Sequence, residues 1–189
     1  MLHIVRHGRT ATNAAGKLQG RMNSELDTLG LQQATQLAQA LGSVDRVVAS
    51  PLLRTQQTAA AFGQKIETDE RWIEMDYGEF DGQPVTAIDP EVWAAWRNDV
   101  NWAPPGGESL RQVGERVQAA AQDLLEASLT TEIVVVTHVS PIKASLAWAL
   151  GVGDEVAWRS YVATASITSI GAGPSLRRFN DTSHLHLGI

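Results

Sequence analysis

Four consecutive β-branched residues, Ile133–Val136, constrain the fold of this chain more than any other segment. An apolar run without polar alternation is typical of a central strand that is covered on both faces. The run predicts a strand at Glu132–Thr137. Other apolar segments predict strands at Leu2–Arg6, Arg46–Ala49, Lys65–Thr68, Ser166–Ile170 and Leu176–Phe179. A strand that is covered on both sides limits the chain to layered folds.

Helical patterns lie between the predicted strands. Leu29–Leu41 carries apolar residues with helical spacing, and Gly42 follows as a terminator. Ser109 and Gln112 have the spacing of a capping box at the start of a second long helix, Ser109–Ala127. The order of strands and helices predicts an α/β three-layer sandwich, with a mostly parallel central sheet and helices on both faces.

Two of the predicted strands lead into a serine followed by a proline. Ser50-Pro51 follows the strand at Arg46–Ala49, and Ser140-Pro141 comes soon after the central strand. Serine is a preferred N-cap and proline suits the first helical position, so each pair predicts a helix start. Helix N-termini at the carboxyl ends of strands favour the binding of anions.

Chain length and composition predict a single domain. The 189 residues, of which 43% are hydrophobic, fit one domain over residues 1–189 with a sizeable core. The segment at about 83–107 is rich in tryptophan and ends in Pro104-Pro105-Gly106-Gly107, which predicts a helical excursion with a stiff exit loop. Trp93, Trp96 and Trp102 either form an apolar wall that selects a leaving group or form the core of the excursion.

Composition also excludes several classes of site and partner. The net charge of −6 disfavours nucleic acid as a partner, and the lack of cysteine excludes disulfides, thiolate metal sites and cysteine nucleophiles. No apolar run approaches the roughly 20 residues that a membrane span needs. Met1 leads directly into the first predicted strand, so we expect no signal peptide, no membrane association and a cytoplasmic location. The sequence leaves a homodimer open.

Arg6 and His7 follow the first predicted strand directly, with Gly8, Thr10 and Asn13 close behind. A neutral imidazole can attack phosphorus, and a phosphohistidine divides a difficult transfer into two easier steps. The attacking nitrogen must be unprotonated, which a backbone carbonyl bonded to the other ring nitrogen would ensure. We therefore predict His7 as the nucleophile of a phosphoryl transfer. The alternative is a structural histidine at a strand end.

Fixed positive charge is needed around a transferred phosphoryl group. The planar fork of arginine suits bidentate contacts to phosphate, and Arg6 and Arg54 both fall near predicted strand ends. His138 follows the central strand and is expected in the same crevice, where it donates to the phosphate or positions His7. Because the arginines already supply the countercharge for a phosphate, we predict no zinc site and no other metal.

A proton donor for the leaving oxygen is expected in the segment Glu74–Gly82, which holds four carboxylates. A general acid works best with a pKa near the working pH, which apolar surroundings can bring about. Glu74 stands between Trp72-Ile73 and Met75, the most apolar setting of the four, and is our predicted acid. Asp76 and Glu79 are predicted to be solvated or structural. The choice of Glu74 among the four carboxylates rests on its local sequence.

The stretch Arg6–Asn13 resembles the signature of the histidine phosphatase superfamily, in its phosphoglycerate-mutase-like branch. Further segments match that family in the same order, namely Leu18–Arg21, Ser50–Thr55, Glu74–Gly82, Gly107–Ser109 and Thr137–Ile142. The match extends over nearly the whole chain. The closing segment Phe179–Leu185 is similar to that of small acid phosphatases and α-ribazole-phosphatase-like members.

The resemblance implies a role for each of the catalytic candidates. It makes His7 the phosphorylated residue and Glu74 the proton donor, and it makes Arg6, Arg54 and His138 the phosphate clamp. Asn13 is implied as a lesser phosphate or substrate contact. Gln19 and Ser140, which lie in matching segments, are predicted as further substrate contacts. The resemblance also implies that neither a metal nor a cofactor is needed.

Hydrolases and mutases of this kind share the phosphohistidine and differ in the acceptor. A mutase must hold a second phosphorylated molecule away from water, and the segment between Gly82 and Gly107 offers a single cation, Arg97. We therefore predict a metal-independent phosphomonoesterase of the histidine acid phosphatase type, acting on a small phosphorylated metabolite. The alternatives are a cofactor-dependent phosphotransfer of the phosphoglycerate mutase type and a non-catalytic phosphate-binding module.

Overall fold

A computed structural model describes residues 1–186 of the chain. Within these residues, six strands form one sheet: β1 (Leu2–Arg6), β2 (Arg46–Ala49), β3 (Ile66–Thr68), β4 (Ile133–Thr137), β5 (Ile167–Gly171) and β6 (Ser175–Asp181). Their order across the sheet is β3-β2-β4-β1-β5-β6. Strands β1 to β4 are parallel, whereas β5 runs antiparallel to both β1 and β6. The sheet is mostly parallel, as the sequence predicts.

Strand β4 lies in the interior of the sheet, between β1 and β2, and all of its residues are buried. Successive side chains of a strand point to opposite faces. Accordingly, Ile133 and Val135 belong to the core on one face of the sheet, and Val134 and Val136 belong to the core on the other. This two-sided burial is the physical reason for the unbroken apolar run.

The helices that surround the sheet are α1 (Ala11–Ala14), α2 (Thr28–Leu41), α3 (Leu53–Ala60), α4 (Pro90–Asn98), α5 (Leu110–Leu125) and α6 (Val139–Leu150). Helices α5 and α6 pack on one face and contribute residues such as Val117 and Ile142 to its core. Helices α2 and α3 pack on the other face through Leu37 and Ala59. The predicted three-layer α/β sandwich is therefore confirmed. None of the helices in residues 1–186 has the length and apolarity to span a bilayer.

The helix starts confirm one capping prediction and contradict two. Ser109 and Gln112 form the predicted capping box at the start of α5. By contrast, the N-cap of α3 is Leu52 and the N-cap of α6 is His138, so the expected caps at Ser50 and Ser140 are wrong. The Ser50 hydroxyl bonds the ring of His138 instead. At α6, the carboxylate of Glu74 accepts hydrogen bonds from the backbone N–H groups of Val139 and Ser140.

The segment at 83–107 contains a short 3-10 turn at Val85–Ala87 and helix α4. The Asp89 side chain caps α4 by accepting a hydrogen bond from the backbone N–H of Glu91. Trp96 of α4 is only 2% exposed and belongs to the same core as α5 and α6, with Trp93 and Trp102 packed against that core. The excursion is thus held to the main body of the protein by its tryptophans.

Candidate active site

Three polar side chains from distant parts of the chain meet where parallel strands end. His7 follows β1, Ser50 follows β2 and His138 follows β4. These three strands are neighbours in the sheet, and parallel neighbours bring their carboxyl ends to one edge. The structure thereby places His7 and His138 beside each other, with ring centroids 5.2 Å apart.

His7 is held with one ring nitrogen protonated and the other free. Its Nδ1 lies 2.7 Å from the carbonyl oxygen of Gly8, which can only accept, so Nδ1 carries the proton. Its Nε2 accepts a hydrogen bond from Nε of Arg54 at 3.2 Å. Burial, followed by the positive charges of Arg54 and Arg6, lowers the pKa of His7 well below its usual range. The ring is therefore neutral near pH 7, with the lone pair on Nε2.

Arg54 is fully buried, and its guanidinium is held by backbone carbonyls. Nη1 donates to the carbonyl of Met22 and Nη2 to that of Gly20, both at 2.7 Å. Nε is shared between His7 and His138, at 3.2 Å from a nitrogen of each ring. Burial lowers the pKa of Arg54 to about 10, which leaves the side chain cationic at neutral pH.

His138 has the opposite tautomer to His7. Its Nδ1 accepts from Arg54, so its Nε2 carries the proton and donates to the hydroxyl of Ser50 at 2.7 Å. Burial, with Arg54 as the next cause, lowers the pKa of His138 well below its usual range. Two neutral imidazoles thus flank a single arginine. Ser50 is the residue that fixes the second ring, a role that its sequence context did not reveal.

Arg6 supplies a second cation at the same edge, on a half-buried side chain. Its Nη1 donates to the carbonyl of Val162 at 2.8 Å, whereas its Nε is buried without a partner among the described residues. Burial lowers its pKa from the ordinary arginine value. A buried donor without a partner is costly in free energy. An oxyanion bound beside Arg6 would supply the missing acceptor.

Glu74 lies 3% exposed at the N-terminus of α6. Its Oε1 accepts hydrogen bonds from the backbone N–H groups of Met75 at 2.8 Å and Ser140 at 3.0 Å, and Oε2 accepts from Val139 at 3.1 Å. The carboxylate therefore acts as the cap that was expected from Ser140. Oε2 has one partner among the described residues, so this oxygen retains a lone pair that can hold a proton.

The other carboxylates of the Glu74–Gly82 segment have different surroundings. Asp81 accepts hydrogen bonds from the backbone N–H groups of Gly20, Arg21 and Met22, and the carbonyls of Gly20 and Met22 hold Arg54. Asp76 accepts from the N–H of Gly78. Asp81 therefore orders the loop around the arginine, an indirect role that local sequence did not indicate.

A cleft of about 180 Å³ opens beside these residues. It is lined by Arg6, His7, Asn13, Lys17, Leu18, Gln19, Glu74, Tyr77 and Val139. Gln19 Oε1 accepts from Thr10 and Asn13, which leaves its buried Nε2 without a partner in the described part of the chain. Asn13 and Gln19, which the sequence predicts as substrate contacts, thus line the cleft. Ser140 lies elsewhere, in a neighbouring cavity, with its hydroxyl 3.3 Å from that of Tyr77.

The loop that carries His7 is fixed by a close approach of two backbones. A Cβ built at Gly8 would lie closer than 3.0 Å to the carbonyl of Gly30, and a Cβ at Gly30 would lie equally close to the backbone of Arg9. Only glycine permits this contact. In addition, the N–H of Gly8 donates to the hydroxyl of Thr58 at 3.0 Å. Arg9 itself is paired with Asp27 at 2.7 Å.

Positive charge in the cleft comes from side chains. Arg6 and Lys17 line it, and Nε of Arg54 lies 3.2 Å from Nε2 of His7. Over residues 1–186, no group of three or more histidine, aspartate or glutamate side chains is placed to hold a metal ion. The arrangement as a whole can bind a phosphate dianion, present it to an unprotonated imidazole nitrogen and protonate an oxygen on the Glu74 side.

Comparison with known proteins finds a matching family model and relatives that align with nearly all of this chain. The model of the histidine phosphatase superfamily (branch 1) matches residues 2–182. Bifunctional protein Rv2228c of Mycobacterium tuberculosis (strain ATCC 25618 / H37Rv) is 32% identical over 97% of this chain, which spans only 54% of that relative's length. The probable phosphoglycerate mutase GpmB of Yersinia pestis (strain Pestoides F) is 30% identical, with 98% of this chain and 95% of the relative covered.

A solved structure shares the fold over nearly its whole length. Phosphoserine phosphatase from Entamoeba histolytica, in complex with 3-phosphoglyceric acid, superposes with a TM-score of 0.89 and 28% identity. The superposition covers 98% of both chains. The family resemblance drawn from the sequence motifs is therefore confirmed, and this chain belongs to the histidine phosphatase superfamily (branch 1).

Proposed function

We propose that this protein hydrolyses a phosphomonoester through a phosphohistidine on His7, without a metal ion. The observation that carries the proposal is the state of His7 Nε2, an unprotonated nitrogen that faces Arg54 at 3.2 Å in a cleft also lined by Arg6. A neutral nucleophile beside two fixed cations matches what phosphoryl transfer demands. The phosphatase and mutase names of the relatives support the same chemistry.

In the first step, the Nε2 lone pair of His7 forms a bond to phosphorus, and the bond from phosphorus to the leaving oxygen breaks. Glu74 donates a proton to that oxygen, so an alcohol leaves. In the second step, water attacks phosphorus, Glu74 accepts a proton from the water, and the P–N bond returns its electron pair to His7. Arg6 and Arg54 stabilise the equatorial oxygens throughout, as fixed charge does for such transfers.

A phosphoglycerate mutase-type reaction is the second candidate, favoured by the name of the Yersinia relative. It would need further cations to hold a second phosphate. The single cation of the excursion, Arg97, has its guanidinium carbon 6.0 Å from the ring centroid of Trp93 and 5.9 Å from that of Trp158. Because the guanidinium of Arg97 lies against these aromatic rings, the excursion does not offer it to a second phosphate, which supports water as the acceptor. A phosphate-binding module without catalysis is opposed by the complete set of reacting groups.

Rapid acid-free quenching with a ³²P-labelled monoester tests the proposal. We expect a labelled protein whose bond is acid-labile and base-stable, located on His7 by mass spectrometry, and we expect phosphate release in the steady state. His7→Ala should lose both, whereas the control His186→Ala, outside the cleft, should keep both. Interconversion of phosphoglycerates faster than phosphate release would instead identify a mutase, and a protein with neither activity would be a binding module.

A further inference from the structure

A second cavity, of about 170 Å³, adjoins the catalytic cleft. We call it the aromatic cavity. It shares Leu18, Tyr77 and Val139 with the cleft, so these three side chains border both spaces. A monoester whose phosphate lies at His7 must place its leaving group on the side of Glu74, because Glu74 protonates that oxygen. Since Val139 borders both spaces and donates to Glu74, the leaving group is directed towards the aromatic cavity.

Tryptophan rings form much of the wall of this cavity. Trp93 and Trp96 are stacked at 5.4 Å, and Trp158 meets Trp96 edge to face at 5.6 Å. Trp102 packs on Trp96 at 5.3 Å but does not line the cavity. Of the two predicted roles, the apolar wall fits Trp93 and Trp96, which line the cavity together with Trp158. The core role fits Trp102, which packs against Trp96.

The size of the cavity fits one six-membered ring. An apolar protein cavity of about 150 Å³ accommodates benzene, and this one has about 170 Å³. Its polar side-chain groups are the hydroxyls of Ser140 and Tyr77, the ammonium of Lys143 and the tryptophan N–H groups, of which those of Trp96 and Trp158 are buried without a partner among the described residues. Only the two hydroxyls can accept a hydrogen bond, so a polyhydroxylated group would leave several of its own O–H donors without an acceptor, which is unfavourable. An aromatic ring would pack on tryptophan with favourable edge or offset geometry.

Lys143 adds one unpaired positive charge to this apolar space. Its Nζ donates to the backbone carbonyl of Ala157 at 2.7 Å, and within residues 1–186 no carboxylate lies within ion-pair distance of it. An ammonium has three donors, so two remain for a ligand. Burial lowers the pKa of Lys143, and the negative charge of Glu74, which lies beyond ion-pair distance, opposes the shift. An anionic group on the ligand within hydrogen-bond distance would stabilise the ammonium directly.

Resting on the proposed function, we propose that the aromatic cavity binds the leaving group of the substrate, and that this group is an aromatic alcohol bearing a carboxylate. The ring packs between Trp93, Trp96 and Trp158, and the carboxylate accepts hydrogen bonds from Lys143. The substrate class is then a carboxylated aryl or arylmethyl phosphate. A substrate of this class can bind without any rearrangement of the cleft or of the phosphate-binding residues.

Non-hydrolysable phosphonates test the proposal by binding, independently of turnover. Isothermal titration would compare methylphosphonate, benzylphosphonate and 4-carboxybenzylphosphonate. Burial of a phenyl-sized ring predicts binding tighter than that of methylphosphonate by about 10- to 100-fold. A charged hydrogen bond to Lys143 predicts a further gain of about 10-fold for the carboxylate.

Two variants separate the ring from the charge. Lys143→Gln keeps a donor for Ala157 and should abolish the carboxylate gain while leaving benzylphosphonate affinity unchanged; Lys65→Gln, on the exposed surface, is the matched control. Trp158→Leu should weaken both ring ligands and leave methylphosphonate unchanged. The wild-type series is informative even where a variant fails to fold.

The outcomes also distinguish this proposal from the proposed function. If methylphosphonate binds and a phosphoenzyme forms, but the ring and the carboxylate bring no gain in affinity, the aromatic cavity does not bind the leaving group and hydrolysis stands. A larger gain from a hydroxyl-bearing chain, such as that of a glycerol phosphonate, likewise overturns the aromatic assignment. If no phosphonate binds and no phosphoenzyme forms, both proposals fail together.

Discussion

Nε of Arg54 lies 3.2 Å from Nε2 of His7 and also 3.2 Å from Nδ1 of His138, so a single N–H group is shared between two rings. A shared donor forms weaker bonds than a donor aimed at one acceptor. A phosphate oxygen would accept a charge-assisted and therefore stronger hydrogen bond from the same guanidinium. Arg54 is thus held in place before any anion binds, and its guanidinium can still donate a strong hydrogen bond to a phosphate oxygen.

Replacing Arg54 by lysine should cost far more than the loss of one charge would suggest. The planar fork reaches Gly20, Met22 and both histidines at once, and an ammonium on a flexible stem cannot. We expect kcat to fall by about 10² to 10³-fold, the usual cost of removing one fixed donor to a reacting oxyanion. Arg46→Lys, on a surface arginine paired with Glu67, serves as the control and should leave kcat unchanged.

Glu74→Gln tests the identity of the general acid. The amide cannot donate a proton to the leaving oxygen, so kcat/KM for an alkyl phosphate, which reports the transfer to His7, should fall by about 10² to 10⁴-fold. The decrease in kcat/KM should be much smaller for 4-nitrophenyl phosphate, whose leaving group needs no proton. Glu79→Gln, in the same segment, should change neither rate. Equal losses with both substrates in Glu74→Gln would show that another group protonates the leaving oxygen.

The folded protein should lose stability as the pH falls below about 6.5, the ordinary histidine pKa. Burial lowers the pKa of both His7 and His138 in the folded state, so the unfolded chain takes up protons first. Stability is therefore fully present above the unfolded pKa and decreases towards lower pH. His138→Gln should reduce the slope of the unfolding free energy between pH 6.5 and 5 by up to about 1.4 kcal/mol per pH unit.

Urea titrations at several pH values would measure that slope. The comparison between variants is needed because burial also lowers the pKa of His3 and His184. His3 is bonded to Glu132, whose charge opposes the shift, so His3→Gln should reduce the slope less than His138→Gln does. A wild-type slope that His138→Gln leaves intact would contradict a buried neutral imidazole at this position.

Chelating agents should leave turnover unchanged. Arg6 and Arg54 supply the positive charge at the cleft, so no metal is required to neutralise the transferred group. The measurement is the steady-state rate before and after prolonged incubation with EDTA and removal of the chelator. Loss of activity that returns with added zinc would contradict the prediction and direct attention to a metal site.

Much of the candidate active site could be predicted from the sequence because His7 and His138 directly follow strands. The apolar runs before His7 and His138 mark adjacent strands, and side chains that follow parallel strands gather at one edge. Arg54 was found by its place soon after β2. These inferences needed only local patterns and one rule of sheet geometry.

What the sequence could not show depends on contacts between distant segments. Glu74 caps α6 across 65 and 66 positions of chain, and Ser50 bonds His138 across 88. The local Ser-Pro pattern therefore predicted helix caps at Ser50 and Ser140, and neither serine caps a helix. Trp158 lies on a 3-10 segment, Asp154–Arg159, with no apolar periodicity to mark it, and Lys143 looks like any surface lysine of a helix. Only packing reveals that both face the same cavity.

The contact between Gly8 and Gly30 has a consequence for how this protein tolerates change. The position of the His7 ring depends on Gly30 of α2, a residue that has no side chain. Even a methyl group there would push the nucleophile's loop outward. A substitution that abolishes the proposed activity can thus arise in α2, a helix that contributes none of the side chains that line the cleft.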